Sequence, residues 1–426
     1  MNFKENLEEF LSEKQANELL DTLEESSKHA VLLNTKFISD EEFKKLFPNV
    51  TPHPLIKHAY LYNKDEYELG KSIYHELGYF YLQEPSAMVT ASLFNFSNND
   101  VVLDLCAAPG GKTVQMAFNL NGQGSIVSND ISKSRAEIIS NNAERLGLEN
   151  IIIANNDFEK IYNSYLNYFD KIMLDAPCSG SGMFRKNEQF INEWSINKVY
   201  KFQEIQKRLI EIAFLMLKPG GELIYSTCSY SKEENEDVIN YLQSKFDFEI
   251  VKLGFGFETI GTRLMPSIFP GEGQYICKII KPGKLKENSF DKNTSYKLSL
   301  PNNLKTCNVI RFNNTYFSSD FNIKTKGFSI LRYGTKVGEE NKNIFTYDLH
   351  YARTLKNKEF PRIELTFEEC KKYLYGEVIN KNNPYDGFVL LTYLNNPIDI
   401  AKSNKTIIKN YYPKGLRFSA SIDESF

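Results

Sequence analysis

The chain has 426 residues, 42% apolar and 25% charged, with a formal net charge of −3. That length holds two or three domains with a full buried core, and the composition is that of an ordinary globular protein. No run approaches the ~20 apolar residues of a membrane span, and from the polar start Met1-Asn2-Phe3-Lys4-Glu5-Asn6 no signal peptide is expected.

In chain order, Phe10, Leu11, Ala16, Leu19, Leu20 and Leu23 recur at helical spacing and predict one amphipathic helix over 5–25. Short strands and a helix over Asp40–Leu46 follow in 29–62, so 1–78 reads as a small α+β extension. From 79 to 282 strands and helices alternate. Strands are expected at 101–105, 124–129, 151–154, 169–174 and 221–227, and helices at 111–120, 133–146, 202–217 and 233–246. Segments 248–253 and 274–280 close as an antiparallel pair. Such alternation means α/β: a doubly wound, mostly parallel, Rossmann-like sheet. Pro282-Gly283-Lys284 opens a polar linker, 283–295. Residues 296–426 read as short strands with one helix, 366–373, a second small domain.

Charge is split along the chain. Residues 286–426 carry 22 Lys and Arg against 15 Asp and Glu, a balance of +7 that leaves −10 for 1–285. A basic segment on an acidic body fits a nucleic-acid partner, or simply a solvated lysine-rich surface. The six cysteines, at 106, 178, 228, 277, 307 and 370, form no CxxC pair. Zinc and a disulfide framework are therefore not expected, and a reducing cytoplasm fits best.

Two cysteines stand just after strand-like runs. Cys178 lies in Asp175-Ala176-Pro177-Cys178-Ser179-Gly180, and Cys228 in Ser226-Thr227-Cys228-Ser229-Tyr230. Thiols at neighbouring strand ends suggest nucleophile chemistry, because a thiolate attacks carbon well at neutral pH. The bland alternative, a buried structural thiol, suits Cys106 and Cys277 better. Leu103-Asp104-Leu105-Cys106-Ala107-Ala108-Pro109-Gly110-Gly111-Lys112-Thr113 gives a strand, a glycine turn and a helix start suited to a carboxylate or phosphate. Its end imitates a phosphate-binding P-loop, but Cys106 stands where that motif needs its first glycine. Asp130 and Asp157 end the next two strands, where ribose and adenine are bound in such folds; each alone could be a helix cap. Trp194 reads as a packing anchor, and the histidines at 29, 53, 58, 75 and 350 fall outside every motif.

These three motifs, followed by Glu234-Asn235-Glu236, resemble those of the Sun-type (Nol/Nop/Sun) RNA cytosine-5 methyltransferases. Tyr81-Leu82-Gln83-Glu84-Pro85-Ser86-Ala87-Met88 resembles the segment that leads into that fold. Tyr373-Leu374-Tyr375-Gly376-Glu377 and Lys409-Asn410-Tyr411-Tyr412-Pro413-Lys414-Gly415-Leu416-Arg417 resemble the PUA-like RNA-binding domain of its bacterial 16S ribosomal RNA branch, the RsmF type. The resemblance implies that Cys106, Ala107, Ala108, Pro109, Gly110, Gly111 and Lys112 wrap the methionine end of S-adenosylmethionine. Asp130 would hold the ribose, Asp157 the adenine, Arg135 would join the cofactor site, and Asp175 would lie between cofactor and cytosine. Cys228 matches the nucleophile and Cys178 the cysteine that helps release product. RNA is the implied partner, acted on by a cytoplasmic monomer without metal or membrane. A transfer-RNA substrate, a catalytically silent RNA-binding module and a DNA enzyme attacking through Cys178 remain as alternatives. The chain departs from the family at Ser267, which follows Pro266 where histidine is usual. It departs again at Gln274, which follows Gly271-Glu272-Gly273 where phenylalanine or histidine is common.

Overall fold

Apolar runs such as Ile151-Ile152-Ile153 need cover on both faces, and the central sheet supplies it. The computed structural model describes residues 2–185, 191, 193–286, 309–342, 344–355 and 359–417. Chain order begins with two short helices, Phe3–Glu8 and Glu13–Thr22, where one was expected. Ser12 breaks the run by capping the second helix, its hydroxyl accepting from the Gln15 N–H. An antiparallel sheet follows, built from β1 (His29–Leu33), β2 (Thr51–Pro52), β3 (Ala59–Tyr62) and β4 (Phe80–Gln83) in the order β2-β3-β1-β4.

The central sheet holds β5 (Val101–Asp104), β6 (Ser125–Asn129), β7 (Ile151–Ala154), β8 (Phe169–Asp175) and β9 (Leu217–Thr227), all parallel, in the order β9-β8-β5-β6-β7. The chain leaves β5 to one side and returns on the other at β8. That reversal opens a crevice beyond the strand ends, where ligands of this fold class bind. Helices Gly111–Leu120 and Lys133–Leu146 cover one face, and helix Ile196–Met216 covers the other. This last helix starts six residues before the expected 202, because the Ser195 hydroxyl accepts from the Lys198 N–H. The helix expected over 233–246 splits into a 3₁₀ turn, Lys232–Glu234, and helix Glu236–Gln243. Beyond β9 come β10 (Glu249–Val251), β11 (Phe257–Glu258), β12 (Thr262–Leu264) and β13 (Gln274–Ile280). β13 runs antiparallel to β10, as expected, and also to β9.

The C-terminal region does not stand apart. After β14 (Val309–Phe312) and β15 (Thr315–Ser318), β16 (Ile330–Tyr333) pairs antiparallel with β7 and extends the central sheet. Tyr333 is buried there, and the edge that β7 would otherwise expose is covered. A five-stranded sheet drawn from 362–409 and helix Phe367–Leu374 complete the chain. Its apolar face shares one core with the N-terminal sheet: Val31, Phe43 and Phe80 pack in a cluster with Cys370, Tyr373, Leu391 and Tyr412. Buried Arg353 binds the carbonyls of Leu77 and Pro397 at 2.8 and 2.7 Å, and the Tyr412 hydroxyl reaches Glu76 at 2.6 Å. Most of the linker expected at 283–295, with Cys307, lies outside the described residues.

A chain ending at Pro282 is therefore expected to lose its N-terminal fold along with the tail. Half of a shared apolar core would face water, at about 25 cal/mol per Å² of exposed apolar surface. Limited proteolysis should show early cleavage within 29–83 in the shortened chain. Native-like protection there would show that the two ends fold independently.

Candidate active site

β5 ends on Asp104, fully buried, whose carboxylate accepts the Thr113 hydroxyl at 2.6 Å and so ties helix Gly111–Leu120 to the strand. Burial raises its carboxyl to about 7, against the pull of Thr113 and Lys112. Gly110 holds φ +109°, a left-handed turn that places the helix N-terminus directly after the loop. A Cβ on Gly111 would lie 3.1 Å from the Gln83 side chain, so the turn also needs a small residue where it meets β4.

Beside this loop is a cleft of about 290 Å³, walled by Leu105, Cys106 and Ala108 from the turn, Asp130, Ile131 and Arg135 from β6 and its helix, Asp157 and Phe158 from β7, and Asp175, Pro177 and Cys178 from β8. Three of the expected acids thus meet in one cavity. Asp130 is buried, and its Oδ1 accepts the Ser132 N–H at 2.9 Å. Arg135 lies 3.6 Å from Asp130 and donates to the Ala108 carbonyl at 2.8 Å. Asp157 caps its helix through the Glu159 N–H at 3.1 Å, as the helix-cap alternative has it, while also lining the cleft. Burial, with the charges of Asp104, Asp130 and Asp175, pushes the Cys106 thiol far up. Ala107, Pro109, Gly110, Gly111 and Lys112 stand behind this wall and do not line it.

Lys112 reaches the other way. Its Nζ donates to Asp175 Oδ2 at 2.7 Å, and the Ser226 hydroxyl donates to Oδ1 at 2.7 Å. Burial pulls the Lys112 ammonium toward neutrality, but the charge and hydrogen bond of Asp175, with Asp104 and Cys228, outweigh it and raise the group.

Cys178 and Cys228, fifty residues apart in sequence, bring their Sγ atoms to 3.1 Å without a disulfide. The hydrogen bond to Cys228, burial, and the charges of Glu234 and Asp175 push the Cys178 thiol well above its ordinary range. The two loops are locked to each other. The Gly182 N–H donates to the Cys228 carbonyl at 2.7 Å, where a Cβ would approach that oxygen to 2.4 Å, so no side chain fits. Glu234, wholly buried, takes the Ser179 N–H at 2.8 Å, the Ser179 and Ser229 hydroxyls, and the Gln206 amide at 3.0 Å.

Some of these residues have no role that the sequence assigns. Glu234 stands in one of the motifs, but nothing in the sequence says that its partners follow both cysteines. Asn129 gives no signal of its own beside Asp130, although its amide binds the carbonyls of Leu105 and Asn156, both at 3.1 Å. Trp194 packs edge-on against Phe3 at 5.3 Å, a structural anchor as expected. Tyr412, in the stretch that resembles the RNA-binding domain, is only 2% exposed and cannot stack on a base, whereas its neighbour Tyr411 is 36% exposed. No described helix is long and apolar enough to cross a membrane, and no group of described side chains could hold a metal ion.

The chain is similar to known proteins over most of its length. Residues 91–280 match the family of 16S rRNA methyltransferases RsmB/F, residues 1–85 the N-terminal domain of 16S rRNA methyltransferase RsmF, and residues 360–418 the methyltransferase RsmF PUA domain. The chain belongs to this family of ribosomal RNA methyltransferases. Among its relatives is the ribosomal RNA small subunit methyltransferase F of Shewanella oneidensis, 31% identical, with 91% of this chain and 90% of the relative covered. The protein of that description from Shewanella sp. MR-4 is 30% identical, with 91% of each chain covered. A methyltransferase homolog from Pyrococcus horikoshii, solved by crystallography, shares 29% identity with a TM-score of 0.58, covering 64% of this chain and 92% of its own. NSun6 of Pyrococcus horikoshii, solved with SFG, has the same fold at a TM-score of 0.60 and 22% identity, covering 66% of this chain and 98% of its own.

Proposed function

We propose that the chain moves a methyl group from S-adenosylmethionine to carbon 5 of a cytosine in small-subunit ribosomal RNA, through a covalent bond from Cys228 to the base. What supports this is the 3.1 Å approach of two free thiols beside an Asp175 carboxylate clamped by Lys112. Cytosine carbon 5 is a poor nucleophile. A Cys228 thiolate adding to carbon 6 makes an enamine and gives carbon 5 the electron density to accept a methyl group. Asp175 stabilises the activated ring by hydrogen bonding. Loss of the carbon 5 proton and cleavage of the carbon–sulfur bond restore the ring, with Cys178 placed to assist release. Because carbon 6 is hidden in a stacked helix, the target is an unpaired or flippable base.

The cleft fits the cofactor. Asp130 and Asp157 offer acceptors for ribose hydroxyls and an adenine amine, and Ile131, Phe158 and Pro177 give apolar faces for a flat ring. When bound, S-adenosylmethionine supplies an electrophilic methyl group. Asp130→Ala and Asp157→Ala are each expected to weaken S-adenosylhomocysteine binding by roughly 1–3 kcal/mol, from lost hydrogen bonds to a charged acceptor. Calorimetry would read this. Unchanged affinity in both folded variants would move the cofactor elsewhere.

The basic C-terminal region, with exposed Lys409, Tyr411 and Lys414, serves as an RNA-binding surface in this proposal. Bisulfite mapping of 16S ribosomal RNA from cells with and without the gene tests the whole. One or more cytosines should lose their modification in the deleted strain; an unchanged map would refute the assignment.

A further inference from the structure

Gln274 opens β13 after a turn fixed from several sides. Gly271 and Gly273 hold φ +140° and +98°, and a Cβ on Gly273 would meet the Tyr230 ring at 2.6 Å. Between them, the Glu272 N–H donates to Glu84 at 2.7 Å, and its carboxylate takes Arg185 at 2.7 Å. The next residue, Tyr275, pairs with Thr227 across β9. Gln274 therefore sits at the strand end beside the Cys228 loop. Its side chain is nearly buried, and Nε2 donates to Asp175 Oδ1 at 3.1 Å.

That carboxylate is unevenly loaded. Among the described residues, Oδ1 takes Gln274 and Ser226 while Oδ2 takes only Lys112, which leaves Oδ2 a lone pair to offer. An amide that gives its N–H to a carboxylate turns its carbonyl oxygen aside, and no described group donates to Gln274 Oε1. Asp175 Oδ2 and Gln274 Oε1 thus keep acceptor capacity at the ends of β8 and β13, the two strands that flank the end of β9 leading into Cys228. The exocyclic amine of cytosine has two N–H groups to give. Uracil presents an oxygen at the same position, which both acceptors repel.

We infer that Gln274 is a specificity-determining residue: its amide N–H holds Asp175 in place, and its carbonyl joins Asp175 in receiving the amine of the target cytosine. This rests on the cytosine-5 reading above. Gln274 does not line the cofactor cleft, so its effect separates from cofactor binding.

The test uses the full chain, native and as Gln274→Leu, Gln274→His and Gln274→Glu. RNA fragments carry 5-fluorocytosine or 5-fluorouracil at the mapped target, so that the covalent adduct is trapped. Gln274→Leu should slow turnover on unmodified RNA by about 10–100-fold and lower the cytosine-to-uracil trapping ratio by about 10-fold or more, as expected when a site loses a polar reader. Affinity for S-adenosylhomocysteine should stay native. Gln274→His, which keeps a ring N–H, should retain more turnover than Gln274→Leu. Gln274→Glu should recover relative to the native chain as pH falls, because a protonated carboxyl can again donate to Asp175. Native turnover and an unchanged trapping ratio in Gln274→Leu would overturn the inference, as would a Gln274→Glu profile parallel to native. Failure of the cytosine-5 reading itself would be visible separately, as a native chain that makes no 5-methylcytosine.

Discussion

Cys228→Ala is expected to lower methyl transfer by roughly ten-thousand-fold or more, the scale on which covalent catalysts lose activity with their nucleophile. Cofactor affinity should not change, because Cys228 is not part of the cleft wall. Cys178→Ala should behave differently. Attack by Cys228 remains possible, but the neighbouring thiol, 3.1 Å away and held protonated, is gone when the carbon–sulfur bond must break. RNA should then remain attached to the protein. A denaturing gel of the two variants after incubation with RNA and S-adenosylmethionine separates them: a slow band for Cys178→Ala and none for Cys228→Ala. The reverse pattern would exchange the two roles and bring the chemistry closer to an enzyme that attacks from the Pro-Cys loop.

The elements that carry this chemistry are legible in the sequence because each is written contiguously. A buried parallel strand is an unbroken apolar run, and its functional residues follow at once. Asp104 to Lys112, Asp130, Asp157 and Asp175 to Cys178 can therefore be placed at strand ends by their position after such runs. What joins strands to each other is not legible. The Cys178 and Cys228 loops, fifty residues apart in the chain, are neighbours because β8 and β9 lie side by side, which brings the two sulfurs to 3.1 Å. Period-2 patterning marks short strands in the C-terminal region. It cannot show that β16 leaves its neighbours to pair with β7, since an edge strand is chosen by the surface it covers. Tyr412 misleads for a related reason. An aromatic residue beside lysines is the pattern of a base-stacking surface, yet its ring fills a core shared with a sheet more than three hundred residues earlier.

Glu234 carries the second large effect. Its carboxylate takes donors from Ser179, which follows Cys178, from Ser229, which follows Cys228, and from Gln206 on the helix beneath. One buried acid thus sets the spacing of both thiols. Burial raises its carboxyl, while the Ser179, Ser229 and Gln206 hydrogen bonds work to keep it ionised. Glu234→Ala would strand several buried donors, each costing about 1–3 kcal/mol when left unsatisfied, so a lower melting temperature is expected. Glu234→Gln keeps the shape but offers an N–H2 where two hydroxyls now donate, so one side of the clamp opens with less loss of stability. In that variant the cofactor should bind as in the native chain, while methyl transfer falls by about 100-fold or more, the cost of a small misplacement of reacting groups. Thiol spacing can be read directly. A mild oxidant such as diamide should join Cys178 to Cys228 readily in the native chain and slowly in Glu234→Gln, measured by mass spectrometry of the linked peptides. Equal rates of linkage, with native turnover, would mean that Ser181, Gly182 and the backbone of the two loops hold the sulfurs together without Glu234.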